Sequence, residues 1–417
     1  MAEKLYGLIG RKLGHSYSAP IHAAMGNGAY RLFELESEEL REFLSRPDIG
    51  GLNVTIPYKR DVMKYCDVIS PDAESVGSVN TIVRRADGRL YAYNTDVYGF
   101  MYMAARAGIS LAGKKVVILG SGGAYLAVRA AAEKAGARQI VCISRSGEDN
   151  YENIGKHADA QVIVNATPVG MYPNNGASPV DLSIFKSCEG VLDLIYNPAR
   201  TALIMQARAL GIPCSGGLFM LVAQAKAAEE YFFDKKFDDA VIGDITAKLS
   251  RESENIVIIG MPGSGKTTIG EALERLTGRR SVDTDALIEA RAGISIPEIF
   301  ARFGEAEFRR MEREAVAEAG RGSGTIIMTG GGAVKDERNL APLRGNGRIY
   351  HIERDIELLS RDGRPLSQGA DLYKMYAERL PMYERFCDVS IRNDASPEDA
   401  AERIWRDFCE NTCDKRA

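Results

Sequence analysis
The stretch Gly260–Thr267, GMPGSGKT, constrains this chain more than any other. It follows the apolar run IVII and opens a helix, so all fixed positions of GxxxxGK[ST] stand in the strand-to-helix context the motif needs. Glycines there let backbone N–H groups turn inward onto phosphate oxygens, and the helix N-terminus adds its dipole. The expected contacts to a nucleoside triphosphate are Gly260, Gly263, Ser264, Gly265, Lys266, Thr267 and Thr268. Lys266 would reach the β and γ phosphates, and Thr267 would ligate Mg²⁺. Such a loop belongs at the carboxyl end of a strand in an open parallel sheet.

The chain has 417 residues, too many for one ordinary core, so two or three domains are expected. Its net charge of −4 argues against nucleic acid or an anionic membrane as partner. No apolar run approaches the roughly 18 residues of a membrane helix, and MAEKLYGLIG reads directly as a strand rather than a leader. The seven cysteines form no CxxC pair and the four histidines no HExxH pattern. Reduced thiols in the cytoplasm are therefore expected, without a disulfide frame or a protein-held catalytic zinc.

Short apolar strands alternate with helical stretches almost throughout, the pattern of α/β architecture. KLYGLIG, YRLFEL and GLNVTIP read as early strands, and NTIVRRADGRLYAYNTD as a hairpin turning at Asp87-Gly88. A helix near 98–106, stopped by Gly108, would join this part to a run of buried strands beginning at KKVVILG. The polar stretch 244–254 is the expected interdomain linker.

In the second half, SVDTD places Asp283 and Asp285 at a strand end, facing the same side if the strand alternation continues. One could hold hydrated Mg²⁺ and the other accept a proton from an attacking hydroxyl. GEAEFRRME, MTGGGAV, RDGRPL and ERLPMYE follow. In this order and spacing the set resembles shikimate kinase over essentially all of 254–410. The resemblance implies that Asp285 takes the proton and Asp283 helps hold the metal. Arg309 and Arg379 would grip a carboxylate, and Gly330, Gly331 and Gly332 would line the ring. Arg364 would close over the transferring phosphoryl group, and Arg361 would stack on adenine. The lid between those arginines is several residues shorter than the family's usual one.

The first half carries a second glycine turn, GSGGA, after a strand and before a helix. Gly120, Gly122 and Gly123 suit a dinucleotide pyrophosphate, and Arg145, after the next strand, suits a 2′-phosphate. Upstream, Lys59 could supply a proton or positive charge to a carbonyl oxygen that becomes an alkoxide, with Asp96 holding the ammonium. The pieces HSxS, NVTxPxK, VNT, NTD, GxGGA, NATPVGM, YNPARTALI and GGLFMLVAQA resemble shikimate dehydrogenase across 4–240. By that resemblance Lys59 and Asp96 are the catalytic pair, and Ser16, Ser18 and Tyr196 hold a carboxylate. Thr55, Asn80 and Gln224 would hold ring hydroxyls. Ala124, Asn165, Thr167 and Gly217 would border the cofactor, with Asn165-Ala-Thr-Pro along the nicotinamide side. Only 19 residues (146–164) separate Arg145 from Asn165, so a βα unit usual in the family is expected to be missing.

The expected organisation is thus a substrate-binding domain over 1–100, to which a helix within 217–243 returns, and a compact Rossmann-like NADP domain over 101–216. The linker 244–254 follows, and 255–417 forms a P-loop NTPase domain with a parallel sheet, of the nucleoside monophosphate kinase type. The resemblances imply NADP(H), ATP and Mg²⁺ as cofactors. They also imply two successive reactions, from 3-dehydroshikimate to shikimate and from shikimate to its 3-phosphate. The competing readings are a kinase with a vestigial or quinate-type dehydrogenase, and a non-catalytic metabolite sensor.

Overall fold
The computed structural model of the chain describes residues 4–14, 16–359 and 372–412. Among these, the strands form three sheets. The first contains β1 (Leu5–Gly10), β2 (Tyr30–Glu34), β3 (Ile49–Val54), β4 (Val68–Ile69), β5 (Thr81–Arg84) and β6 (Leu90–Tyr93), in the order β2-β1-β3-β5-β6-β4. β1, β2 and β3 run parallel, whereas β5 is antiparallel to both its neighbours. The antiparallel step comes from the hairpin at Asp87-Gly88, where Gly88 supplies φ +81°. The short helices α1 (Ser18–Ala24), α2 (Leu40–Ser45) and α3 (Pro71–Val76) accompany this sheet.

Helix α4 (Asp96–Arg106) leads to the second sheet, formed by β7 (Lys115–Leu119), β8 (Gln139–Ile143), β9 (Val162–Asn165), β10 (Gly190–Asp193) and β11 (Cys214–Ser215). All pairings are parallel, in the order β11-β10-β9-β7-β8, with α5 (Gly123–Lys134) and α6 (Ala202–Ala209) among the connections. β7 is buried on both faces. Val116 and Ile118 enter one core and Val117 and Leu119 the other, as period-2 alternation requires in a covered parallel sheet. Between β8 and β9 there is one 3₁₀ turn, Ile154–His157, and no further strand or helix, which leaves β8 at the edge.

Helix α7 (Leu218–Phe233) starts at the second sheet and ends against the first. It packs on α4, where Gly99 stands so close to it that a Cβ would lie 2.6 Å from the Met220 carbonyl oxygen. Near its far end Ala228 and Phe232 join Leu8, Tyr30 and Val83 in one cluster. Helix α8 (Ala240–Ser253) then runs almost directly into the third sheet, separated from its first strand only by Glu254. The stretch 244–254 is therefore not an open linker. Ile242, Ile245 and Leu249 recur at helical spacing and are buried in the core shared by α4, α5 and α7. Asp244 and Lys248 between them, and Arg251, Glu252 and Glu254 beyond, conceal that stripe.

The third sheet contains β12 (Asn255–Gly260), β13 (Ser281–Asp283), β14 (Ile326–Met328), β15 (Gly347–Glu353) and β16 (Val389–Arg392), all parallel, in the order β13-β14-β12-β15-β16. Its helices are α9 (Lys266–Thr277), α10 (Thr284–Ala292), α11 (Ile296–Arg321, broken at Gly304), α12 (Leu340–Gly345), α13 (Leu372–Phe386) and α14 (Pro397–Asn411). Ile256 and Ile258 of the central β12 face a core with α9 and α14. Val257 and Ile259 face the other core, with α11 and α13. The glycine-rich loop leaves the carboxyl end of that central strand, where the strand order reverses.

Candidate active sites
The first site lies where the two N-terminal sheets meet. Its cavity of about 360 Å³ is lined by Ser16, Ser18, Thr55, Lys59, Asn80, Asp96, Ala124, Tyr196, Gly217 and Gln224, each expected from the sequence. Ser18 opens α1, Thr55 and Lys59 follow β3, Asp96 opens α4, Tyr196 follows β10, and Gln224 lies on α7. Lys59 Nζ is 2.5 Å from Asp96 Oδ2, with the two side chains 19% and 12% exposed, so the pair is reachable from the cavity. Asn80 Nδ2 donates to Asp96 Oδ1 at 2.9 Å, and the Asp96 N–H donates to Asn94 Oδ1 at 3.0 Å. The carboxylate is thereby fixed while its other oxygen meets the ammonium.

Thr95 was not anticipated. Its hydroxyl lies 3.0 Å from Asn80 Nδ2 and 3.4 Å from Gln224 Oε1, so it joins α4 to α7 across the cavity floor. It stands inside the NTD motif, but only the tertiary approach of α7 shows what it binds.

The glycine turn follows β7. The Gly120 N–H donates to the Ile143 oxygen at 2.8 Å, which brings the exposed Arg145 beside the turn. Gly122 precedes α5 and Gly123 begins it, with nothing within 4 Å of where either Cβ would stand. Open space before the amino end of a twelve-residue helix, with a cation beside it, fits a dinucleotide phosphate. Asn165 differs from expectation. Its side chain is fully buried, donates to Asp193 Oδ1 at 3.0 Å and accepts from Thr167 N–H and Oγ1. Its amide therefore shapes the loop and is not turned toward a nicotinamide. Burial pushes the Asp193 carboxyl up to about 6, against its bonds from Thr201, Ile195 and Asn165.

The second site sits on the third sheet in a cavity of about 420 Å³, lined among others by Lys266, Thr267, Asp283, Asp285, Arg309, Gly330, Gly331, Gly332 and Arg379. Gly260, Gly263, Ser264 and Gly265 form the loop, and Thr268 follows in the first turn of α9. Gly265 has φ +95°, and a Cβ there would stand 2.5 Å from Asn393 Nδ2, so only glycine fits. Asn393 donates to the Ser264 oxygen at 2.8 Å and buttresses the loop from 129 residues away, a role without local sequence signal. Lys266 Nζ donates to the Gly260 and Met261 oxygens at 2.9 Å each. Ser264 Oγ is buried with no hydrogen-bond partner among the described residues, which fits a cradle whose remaining contacts belong to phosphate.

The alternation expected for Asp283 and Asp285 does not hold, because β13 ends at Asp283 and α10 begins. Asp283 is the N-cap, with Oδ1 accepting from the Asp285 and Ala286 N–H groups. Both still line the cavity, Asp285 from the helix's first turn. Burial, then the carboxylates of Asp283 and Glu312, push the Asp285 carboxyl up to about 6 against the pull of Lys266. Asp285 Oδ1 has no hydrogen-bond partner among the described residues.

Arg309 Nη1 donates to Glu312 Oε2 at 2.6 Å, and Arg379 Nη1 to the Gly331 oxygen at 3.0 Å. Tyr383, one turn beyond Arg379, reaches the same oxygen at 2.7 Å and was missed although the i, i+4 spacing could have shown it. A Cβ on Gly330 would lie 2.4 Å from Asp285 Oδ1, and one on Gly332 2.7 Å from Arg309 Nη1. The backbone thus runs close under both functional side chains. Arg361 and Arg364 lie outside the described residues.

Among the described residues, no helix is long and apolar enough to cross a membrane. Residues 8–82 match the family "Shikimate dehydrogenase substrate binding domain", and residues 262–409 match "Shikimate kinase". A shikimate dehydrogenase (NADP(+)) from Clostridium perfringens (strain SM101 / Type A) is 37% identical over 267 residues, covering 59% of this chain and 98% of the relative. The crystal structure of a chorismate mutase/shikimate 5-dehydrogenase fusion protein from Clostridium acetobutylicum superposes with TM-score 0.57 at 37% identity, over 60% of this chain and 98% of that one. Shikimate 5-dehydrogenase from Thermus thermophilus, in complex with NADP(H) and shikimate, gives TM-score 0.53 at 29% identity, over 59% and 99%. The chain belongs to the shikimate dehydrogenase family through its N-terminal part and carries a shikimate kinase domain behind it, so one polypeptide holds both enzymes of a shikimate-pathway pair.

Proposed function
We propose that the first site reduces 3-dehydroshikimate to shikimate with NADPH and that the second phosphorylates shikimate to shikimate 3-phosphate with MgATP. The observation that carries this reading is that each cavity holds its own acid–base and anion-holding groups. The first has the Lys59–Asp96 pair, and the second has Asp285 opposite Lys266 and two arginines. We place the dehydrogenase in 1–243 and the kinase in 255–417, both working in the cytoplasm.

When bound, the cofactors supply a hydride in the first site and a phosphoryl group in the second. Gly120, Gly122 and Gly123 would hold the dinucleotide phosphates and Arg145 the 2′-phosphate. Lys59 Nζ gives its proton to the carbonyl oxygen as that oxygen gains charge, and Asp96 keeps the ammonium aimed at it. Ser16, Ser18 and Tyr196 hold the carboxylate, while Thr55, Asn80 and Gln224 hold the ring hydroxyls. In the second site Arg309 and Arg379 hold the carboxylate, and Asp285 accepts the proton of the attacking hydroxyl. Among the described residues no cluster of three or more His, Cys, Asp or Glu could hold a metal ion. Thr267 and Asp283 would help hold Mg²⁺, which would supply positive charge beside the transferring phosphoryl group.

Product masses test the reading. Protein mixed with 3-dehydroshikimate and NADPH should yield shikimate, and with MgATP added, shikimate 3-phosphate. Phosphorylation of added shikimate without any reduction would leave only the kinase.

A further inference from the structure
Beside α6 and the end of α8, residues 194–201 form one of the attachments between the dehydrogenase site and the kinase domain, a loop that carries Tyr196 near its start and Arg200 near its end. Tyr196 is a partition. It lines the substrate cavity on one side and, on the other, a cavity of about 190 Å³ shared with Arg200, Glu254 and Arg344.

The loop's two ends are tied within the dehydrogenase. The Ile195 N–H donates to Asp193 Oδ1 at 3.0 Å and the Ile195 oxygen accepts from the Gly217 N–H at 2.9 Å, while Thr201 Oγ1 donates to Asp193 Oδ2 at 2.6 Å. Its middle is tied to the kinase. Pro198 has no N–H, so Ala199 and Arg200 carry the backbone donors that follow Asn197. The Ala199 N–H donates to Asn346 Oδ1 at 3.3 Å and the Arg200 N–H to the Gly345 oxygen at 2.8 Å.

The guanidinium of Arg200 extends the same attachment. Nε donates to the Arg344 oxygen at 2.9 Å, and Nη2 donates to the Gly347 oxygen at 2.9 Å and to Glu254 Oε2 at 2.8 Å. Glu254 and Asn346 are 3% and 4% exposed, so the receiving groups are buried. Asn346 is itself held, with Nδ2 donating to the Ser253 and Gly322 oxygens.

Resting on the reading of Tyr196 as part of the shikimate-binding wall, we propose that Arg200 is a positioning residue through which the kinase domain holds that wall in place. The docking edge of the kinase is the amino end of its sheet, where β12 and β15 begin, opposite the end that carries its own phosphate loop. The brace acts on binding of substrate in the dehydrogenase and touches neither the Lys59–Asp96 pair nor the kinase cavity.

The test uses the full chain with Arg200→Ala and, separately, Asn346→Ala, which removes from the kinase side the acceptor of the neighbouring Ala199 N–H. NADP⁺-linked oxidation of shikimate and ATP-dependent phosphorylation of shikimate are measured on the same preparations, with thermal unfolding beside them. Both variants should raise the dehydrogenase KM for shikimate roughly three- to tenfold, the effect of losing one or two hydrogen bonds. Its kcat should stay within about twofold and the kinase constants should not move. An unchanged dehydrogenase KM in either variant, or a parallel loss of both activities, overturns the proposal. If the unsubstituted protein does not oxidise shikimate at all, the reading of the first site fails instead.

Discussion

In the proposed kinase reaction, the proton transfer falls on one carboxyl group, that of Asp285. It is buried, has no hydrogen-bond partner for Oδ1 among the described residues, and is pushed up to about 6 by burial and by its acidic neighbours. As a base it must be ionised, so kcat/KM for shikimate phosphorylation should fall as pH drops through about 6. Asp285→Asn should remove about 10²-fold or more of the activity. The same group sets a stability cost of known sign. Its folded pKa lies above the unfolded value, so the folded state binds the extra proton and loses stability as pH rises from about 4 to about 6. In the ligand-free protein, Asp285→Asn should therefore unfold at a higher temperature than wild type at pH 8, by an amount worth up to about 2–3 kcal/mol. That advantage should shrink toward zero near pH 4. Equal unfolding temperatures at both pH values would show that Asp285 is not strained. At this scale Lys59, Asp96, Lys266, Asp285, Arg309 and Arg379 were legible in the sequence as candidates, and the fold brings them into two cavities. The supporting groups were not, because Asn393 under the phosphate loop and Thr95 beside Gln224 act through contacts from distant parts of the chain.

Among the elements, α7 and α8 do most to define the assembly. The return of α7 to the first sheet was legible from its family-like ending, and its geometry turns on Gly217. A Cβ on Gly217 would stand 2.1 Å from the Leu194 carbonyl oxygen, where backbone cannot yield. Gly217→Ala should shift the start of α7 and with it Gln224, at a cost of about 1–3 kcal/mol. Shikimate oxidation should fall at least tenfold while phosphorylation is retained, as paired assays on one preparation would show. Helix α8 reads as a polar linker in the sequence because Asp244, Lys248, Arg251, Glu252 and Glu254 surround Ile245 and Leu249. Only the packed neighbours reveal the stripe. The short span between β8 and β9 is readable as a deficit only through the family resemblance, and the chain bridges it with a 3₁₀ turn.

In the whole molecule, the two cavities are built on different sheets. The dehydrogenase touches the amino edge of the kinase sheet, while the phosphate loop leaves the carboxyl edge, a strand of six residues or about 20 Å away. The sequence showed that both enzymes are present but held no sign of their contact, since Arg200 meets Gly347 and Glu254 only across the assembled interface. The most direct measurement mixes two variants, Lys59→Ala and Lys266→Ala, in equal amounts with 3-dehydroshikimate, NADPH and MgATP, and follows products by mass. Each variant alone should lack one reaction and retain the other, and the mixture should form shikimate 3-phosphate at about half the wild-type rate. A mixture that forms none, or a single substitution that abolishes both reactions, would contradict two independent sites on one chain.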